Sequence, residues 1–307
     1  MAEITAALVK QLREKTGAGM MDCKRALGET DGDMEEAIDW LRKKGLAAAA
    51  KKAGRITSEG LIALSLAGNR GAVVEVNSET DFVARNEQFQ ELVTAIAGVA
   101  TEARGDLDAL LALTLPSTGK SVADSIADAV GVIGENIQLR RTAFLEVDAG
   151  AVGGYVHAQQ APGLGKIGVL VAIASAGDAE QVGELGRQIA MHVAATSPQS
   201  VDIASLDPAV VERERNVLAD QARASGKPEN IIEKMVEGRL RKFYEESVLL
   251  EQVYVIDTDK HVKDAVADTA KALGSPVEVR DFVRMALGEG VEKKDDDLAA
   301  EVARLAG

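Results

Sequence analysis

Leu61-Ile62-Ala63-Leu64-Ser65-Leu66-Ala67, then Gly68-Asn69-Arg70-Gly71, then Ala72-Val73-Val74-Glu75-Val76: an apolar run, a turn signal and a second apolar run predict two strands joined tightly enough to pair antiparallel. A helix is expected from about Glu87, because Phe89, Leu92, Val93, Ile96 and Ala100 fall on one side at helical spacing. The same order returns further along. Val152 to His157 is strand-like, Pro162-Gly163-Leu164-Gly165 reads as a turn, and Ile167 to Ile173 reads as a buried strand. Asp178 then precedes a helix whose apolar side is Val182, Leu185, Ile189 and Val193. Two related α+β subdomains with small antiparallel sheets follow from this repetition.

The two copies differ between strand and helix. The second has five residues there, Ala174 to Asp178, and the first has ten, Asn77 to Asn86. If the second copy makes its turn in five residues, the fold does not require the longer loop. That loop carries Phe82, a large apolar ring among polar and turn-forming neighbours. Two readings stay open. The ring tucks back under its own helix as a staple, or it is presented as a wedge, since loops on rigid scaffolds carry binding residues disproportionately.

Composition narrows the function. The chain has 307 residues, enough for two or three domains, and a net charge of −14. So acidic a protein repels phosphate backbones and anionic lipid, which argues against nucleic acid or membrane as its partner. Its 46% hydrophobic content supports a sizeable core. Met1-Ala2-Glu3-Ile4 lacks the pattern of a signal peptide, no run approaches the length of a membrane span, and one cysteine, Cys23, suits a reducing compartment; a cytoplasmic location is expected. Three histidines, at 157, 192 and 261, are too scattered to suggest a zinc cluster. No cofactor is implied.

Charge is uneven along the chain. Residues 1–56 carry a net +2 and residues 57–307 a net −16, which marks an N-terminal module with its own surface. Ile4, Leu8 and Leu12 give an amphipathic stripe, Thr16-Gly17-Ala18-Gly19 breaks it, and a short helix runs from Met20 to Leu27. Asp33 with Glu36 suggests a capping box for a third helix buried through Met34, Ala37, Ile38 and Leu41, with Gly45 as its stop. This order resembles the ubiquitin-associated domain, a small docking module. Met20 and Met21 then read either as core or, with Arg13, as a surface beside the glycine turn.

Asp207-Pro208 starts a helix with Val210, Val211, Val217, Leu218 and Ala222 on one side, and Ser225-Gly226-Lys227-Pro228 stops and restarts it. Ile231, Ile232, Met235, Leu240 and Phe243 line the second arm of an inserted antiparallel hairpin. Asp295-Asp296-Asp297 precedes a short C-terminal helix expected over 298–305. The expected division is 1–55 for the ubiquitin-associated-like module and 56–143 for the first core subdomain. The second subdomain takes 144–206 with 248–290, the hairpin 207–247 and the C-terminal module 291–307.

Thr80-Asp81-Phe82-Val83 after a strand, and Leu12-Arg13-Glu14-Lys15-Thr16-Gly17-Ala18-Gly19-Met20-Met21-Asp22-Cys23-Lys24, resemble blocks of the bacterial elongation factor Ts family. So do Gly131 to Ile137, Tyr155-Val156-His157, Ile189 to Ala195 and Lys234 to Arg239, all in the expected order. The stretch Ala158 to Gly165 is longer here than in that family. The resemblance implies guanine-nucleotide exchange on elongation factor Tu, with Thr80 to Val83 dislodging the partner's Mg²⁺. It implies further contacts through Ile133, Gly134 and His157, and through Arg13, Met20 and Met21 of the first module. It leaves one-to-one complexes and a dimer of heterodimers both open.

An enzyme reading fails on the residues. Gly163-Leu164-Gly165-Lys166 is not a phosphate loop, because the first glycine and the closing Ser/Thr are replaced by Gln160 and Ile167. No nucleophile, histidine and acid stand in a catalytic pattern. The alternative to exchange is a docking protein, a ubiquitin-associated-type module on an acidic α+β scaffold.

Overall fold

The computed structural model describes residues 4–224 and 228–291, the side chains of 229 and 230 excepted. The expected C-terminal helix and the Ser225-Gly226-Lys227 turn lie outside these residues.

Three helices open the chain: α1 (Ala6–Thr16), α2 (Met20–Glu29) and α3 (Met34–Lys52). Thr5 caps α1 by accepting the Leu8 N–H, Gly17 ends it in the left-handed region, and the Asp33 carboxylate accepts the Glu36 N–H to start α3. Val9, Leu12, Cys23, Ala26, Leu27 and Ala37 form the core of this unit. Gly45 does not stop α3, contrary to its reading as a C-cap. The helix runs on through the Ala-rich segment, and Gly45 sits buried against Gly131 of α6 (Val122–Ile133). A Cβ on Gly131 would lie 2.9 Å from the Gly45 Cα, so two bare backbones allow the helices to meet.

The first sheet has the order β3-β2-β1-β5, with β1 Glu59–Ala67, β2 Arg70–Ser78, β3 Ile137–Glu146 and β5 Leu164–Gly165. Pro162 to Gly165 is therefore more than a turn. Pro162 and Gly163 make the expected turn, closed by the Leu164 N–H donating to Ala161 O, and Leu164 and Gly165 then add a short strand to β1 opposite Ala63 and Ile62. The second sheet has the order β4-β6-β7, with β4 Gly150–His157, β6 Ile167–Ser175 and β7 Val277–Ala286. Both central strands, β2 and β6, carry a register shift after their sixth residue, at Glu75/Val76 and Ala172/Ile173. The residues set out of register are Arg140 and Arg280, each the fourth of its strand. The repeat inferred from sequence thus extends to the placing of a β-bulge.

Strand residues alternate between two cores. Leu61, Ala63, Val74 and Val76 pack under α4 (Glu87–Ala100), α5 (Leu107–Ala112) and α6. Val169, Val171 and Ile173 pack under α7 (Ala179–Thr196) and α10 (Val262–Leu273). Between them the sheets face each other through Ile62, Val73, Leu145, Val152, Leu170, Ala172 and Met285. The molecule is layered helix, sheet, sheet, helix.

Glu75 points into the layer between the sheets and has no exposed surface (0%). Its Oε1 accepts from Arg140 Nη1 (3.0 Å), Asn77 Nδ2 (3.1 Å) and the Gly288 N–H (2.8 Å), and its Oε2 accepts from Arg141 Nε (2.5 Å). The arginines reach on to the end of β7 and the turn after it, Arg141 Nη2 donating to Ala286 O and Arg140 Nη2 to Glu289 O. Gly288 has φ +70°, and a Cβ there would meet Ser58 O at 2.5 Å, so only glycine brings this N–H to the carboxylate. Burial pushes the Glu75 carboxyl up. The Gly288 N–H, the Arg141 guanidinium and the Asn77 amide together outweigh it, and the net shift is downward from 4.5.

The inserted arms are α8 (Pro208–Arg223) and α9 (Glu229–Ser247), with Asp207 capping α8 and Leu218, Ala222, Ile232 and Leu240 buried. Val217 and Ile231, expected on the apolar faces, are exposed instead. A hairpin of two arms has only one seam to bury, and these side chains fall outside it. At the base, the Gln199 N–H donates to Ser247 O and the Leu249 N–H to Ser200 O, so the chain leaves and returns at one point. His192 of α7 is buried beside that base, accepting the Val255 N–H at Nδ1 and bonded through Nε2 to Gln252.

Two outcomes follow from this layering. Removing the Glu75 carboxylate by Glu75→Ala strands two arginines and is expected to cost about 3–5 kcal/mol in a urea titration at pH 7. Because the native carboxyl titrates below its unfolded value, its contribution is full above about pH 4.5 and is lost as pH falls through the native value; Glu75→Gln should flatten that part of the stability–pH curve. Replacing 207–247 with a short bridge should leave a cooperative thermal melt and the strand signal in circular dichroism, since both sheets are complete without it.

Candidate functional site

The longer loop keeps its five-residue excess. Eight residues, 79–86, separate β2 from α4, and three, 176–178, separate β6 from α7. Its far end is fixed by apolar burial and capping. Val83 is 5% exposed and packs with Ala84 into the first helical core. Residues Val83–Arg85 form a 3-10 turn, Asn86 accepts the Phe89 N–H to cap α4, and Gln90 Nε2 donates to Ala84 O. Its near end is fixed by polar contacts. Ser78 Oγ donates to Thr80 O at 3.0 Å, and Thr80 donates through both its N–H and its hydroxyl to the Glu135 carboxylate.

Between these anchors stands Phe82, 75% exposed. The staple reading is therefore excluded, and the core is filled by Val83, its neighbour. Asp81 is exposed beside the ring, with Oδ2 3.7 Å from Arg85 Nη2. The loop lies against the turn that follows α6, where Gly134 (φ +88°) ends the helix and Ile133 packs half-buried on the core. Ser78 of β2 pairs with Ile137 of β3, so Thr80 to Val83 and Ile133-Gly134, about fifty residues apart in sequence, come together at one end of the first sheet.

The N-terminal module adjoins the same end. A Cβ on Gly17 would lie 3.1 Å from Gln88 Nε2 and 3.9 Å from Val132 Cγ1, which sets the α1–α2 corner beside the start of α4 and the end of α6. At that corner Arg13 is exposed, Met20 is 58% exposed and Met21 70% exposed. Neither methionine is core, because Cys23, Ala26 and Leu27 of α2 already fill the inner face. His157 stands apart, exposed at the end of β4 with Nδ1 3.2 Å from Tyr155 Oη. Its carbonyl accepts the Lys166 N–H, and the residues between them return as β5 on the first sheet. The structure thus joins the loop, the Ile133-Gly134 turn and the Arg13–Met21 corner, and it leaves His157 on another strand.

Residues 79–289 match the sequence model of elongation factor TS. Over 306 residues the chain is 61% identical to the elongation factor Ts of Parvibaculum lavamentivorans, covering 100% of this chain and 99% of that protein. The chain belongs to the elongation factor Ts family. The elongation factor Ts of Rhodospirillum centenum is 59% identical over 307 residues, covering both chains fully, and that of Sinorhizobium medicae is 59% identical over 303 residues, covering 99% of each. Family membership and the layered α+β fold agree. Among the described residues no helix is long and apolar enough to cross a membrane.

Reading by sequence missed the polar frame of the loop: Glu79, Glu135, Asn136 and Arg55. Glu135 lies within the Gly131 to Ile137 stretch, but its partner Thr80 is 55 residues away, and no local pattern links them. The anchoring has a direct consequence for stability. Phe82→Ala should leave the unfolding free energy within about 0.5 kcal/mol, as at other surface positions. Val83→Ala should cost about 1.5–3 kcal/mol through lost burial. Chemical denaturation of the two variants side by side checks the contrast.

Proposed function

We propose that this chain is the guanine-nucleotide exchange factor of elongation factor Tu. It binds the GDP form, disturbs the partner's Mg²⁺ and phosphate site, releases GDP and lets GTP rebind. The observation that carries this reading is Phe82, a large apolar ring held out in solvent by a loop anchored on both sides. An exposed phenylalanine on an ordered loop gains by burial in a partner. Asp81 brings a carboxylate to the same place, where it acts on charges around a partner's bound cation.

The energetics require more than the ring. An exchange factor binds the nucleotide-free partner more tightly than the GDP form, and linkage makes GDP weaken factor binding by the same ratio. Each tenfold loosening of GDP needs about 1.4 kcal/mol of differential binding, and burying one phenylalanine supplies about 1.5–3 kcal/mol. A tightly held nucleotide therefore calls for a broad interface. In this reading Thr80 and Val83 carry the wedge, and Ile133 and Gly134 extend it. Arg13, Met20 and Met21 dock the N-terminal module, and His157 adds a contact from the second subdomain. The acidic chain makes no direct contact with nucleic acid or membrane, and it acts in the cytoplasm. The division at 1–55, 56–143, 144–206 with 248–290, 207–247 and 291–307 assigns docking to the first unit and the wedge to the second. No bond in GDP is made or broken, so the chain needs no catalytic residue and no cofactor.

Release of fluorescent GDP from elongation factor Tu, followed by stopped flow, tests this. Wild-type chain should accelerate release at substoichiometric amounts, and Phe82→Ala should slow that release by about tenfold or more, from the burial energy of the ring. Added GDP with Mg²⁺ should dissociate the complex in size-exclusion chromatography. Binding without any acceleration of release would make the chain a docking protein instead.

A further inference from the structure

The loop that bears Phe82 and the turn that bears Gly134 grip each other in both directions. From the loop, Thr80 donates to Glu135 on the turn, its N–H to Oε2 at 2.9 Å and its hydroxyl to Oε1 at 2.7 Å. From the turn, the Asn136 N–H donates to Glu79 Oε1 on the loop at 2.6 Å. Arg55, in the segment between α3 and β1, closes the set. Its carbonyl accepts from Asn136 Nδ2 at 2.9 Å and its Nη1 lies 3.3 Å from Glu79 Oε1. Asn136 is buried and Glu79, Thr80 and Glu135 are half-buried, so water competes weakly for these bonds.

We propose that Glu135, supported by Glu79 and Asn136, is a positioning residue for nucleotide exchange. It holds Thr80, and through it the Phe82 ring, in the geometry of the bound complex before the partner arrives. This rests on the reading of Phe82 as the exchange wedge. Two charge-assisted bonds from the N–H and the hydroxyl of one residue fix its backbone direction and its side-chain rotamer together. Phe82 lies two residues further on, ahead of the buried Val83. With both sides held, the ring has little backbone freedom left to lose on contact. Without Glu135 the loop would have to order against the partner, and that entropy would be subtracted from the interaction that expels GDP. Glu79 and Arg55 extend the frame to the segment that leads out of the N-terminal module, so the wedge and the module's docking corner share one support.

The test compares Glu135→Ala, Glu135→Gln and the pair Glu135→Ala with Thr80→Val, all in the full chain. Two quantities are read on each: amide hydrogen exchange over 79–82 in the free protein, and the maximal rate of GDP release at saturating factor. Glu135→Ala is expected to speed amide exchange in the loop and to lower the maximal release rate by about tenfold, the value of a lost charge-assisted pair, while the melting transition stays cooperative. Glu135→Gln should restore both, because an amide can accept the Thr80 N–H and donate to its hydroxyl once that hydroxyl rotates. Adding Thr80→Val to Glu135→Ala should cost little more, since both remove the same bond. Unchanged amide exchange in a folded Glu135→Ala protein would overturn the clamp. Faster exchange of the loop with normal GDP release would overturn the positioning role. Normal release by Phe82→Ala would overturn the reading of the wedge, and the positioning role with it, while the amide data would still report on the clamp.

Discussion

Apolar contact between two sheets is non-directional, and a layer of Val, Ile and Leu side chains alone tolerates sliding. What fixes the registration here is the buried carboxylate of Glu75. Both of its oxygens are engaged by donors that belong to β2, to β3 and to the segment after β7, and two of those donors are arginines that bond onward to carbonyls of the second subdomain. Taking a charge out of water costs several kcal/mol, so this arrangement holds only where every partner arrives together. The bulge at Arg140 is part of the device. It turns two consecutive arginines toward one carboxylate, which an unbroken strand, with its alternating faces, would not do.

The two halves of the core are informative through their differences. They share strand order, the placing of a bulge and a helix laid over the sheet, but Ala172 stands where the first half has Glu75, and Arg280 is bulged without a buried acid to meet. The first half has the longer loop after its central strand. The second half has the long helical hairpin after its helix, let in where the backbone pairs with itself at the base. Each copy is elaborated where the other is plain, and neither elaboration disturbs the strands.

How much of this was legible in the sequence depended on whether the signal was local. Strands β1, β2, β4 and β6 and helices α4 and α7 followed from apolar periodicity. Strands β3 and β7 did not stand out, because a bulge interrupts their alternation and places charged residues in succession. Gly45 read as a stop by local preference, and tertiary packing against Gly131 overrode it; the turn at Pro162-Gly163 was legible, but the pairing of Leu164 and Gly165 with β1 was not. Phe82 was legible as a ring out of place. Whether it pointed in or out was not, since that depends on Val83 having taken the core position. The partners that hold the loop were invisible, because Thr80 and Glu135 meet only after β2 and β3 have paired.

Phe82 and Glu75 belong to the same stretch of chain, one on the loop and the other on the strand that feeds it. In mechanical terms the strand is a beam, the ring its tip and the inter-sheet network its mount. A tip on a compliant beam gives way when pressed against another surface, and the deformation stays in the beam. A tip on a stiff beam, clamped at its root by ionic bonds and braced at its side by the neighbouring turn, passes the deformation to whatever it meets. Distance from the exposed ring is then no measure of importance: a residue sealed between two sheets sets how stiffly that ring is carried.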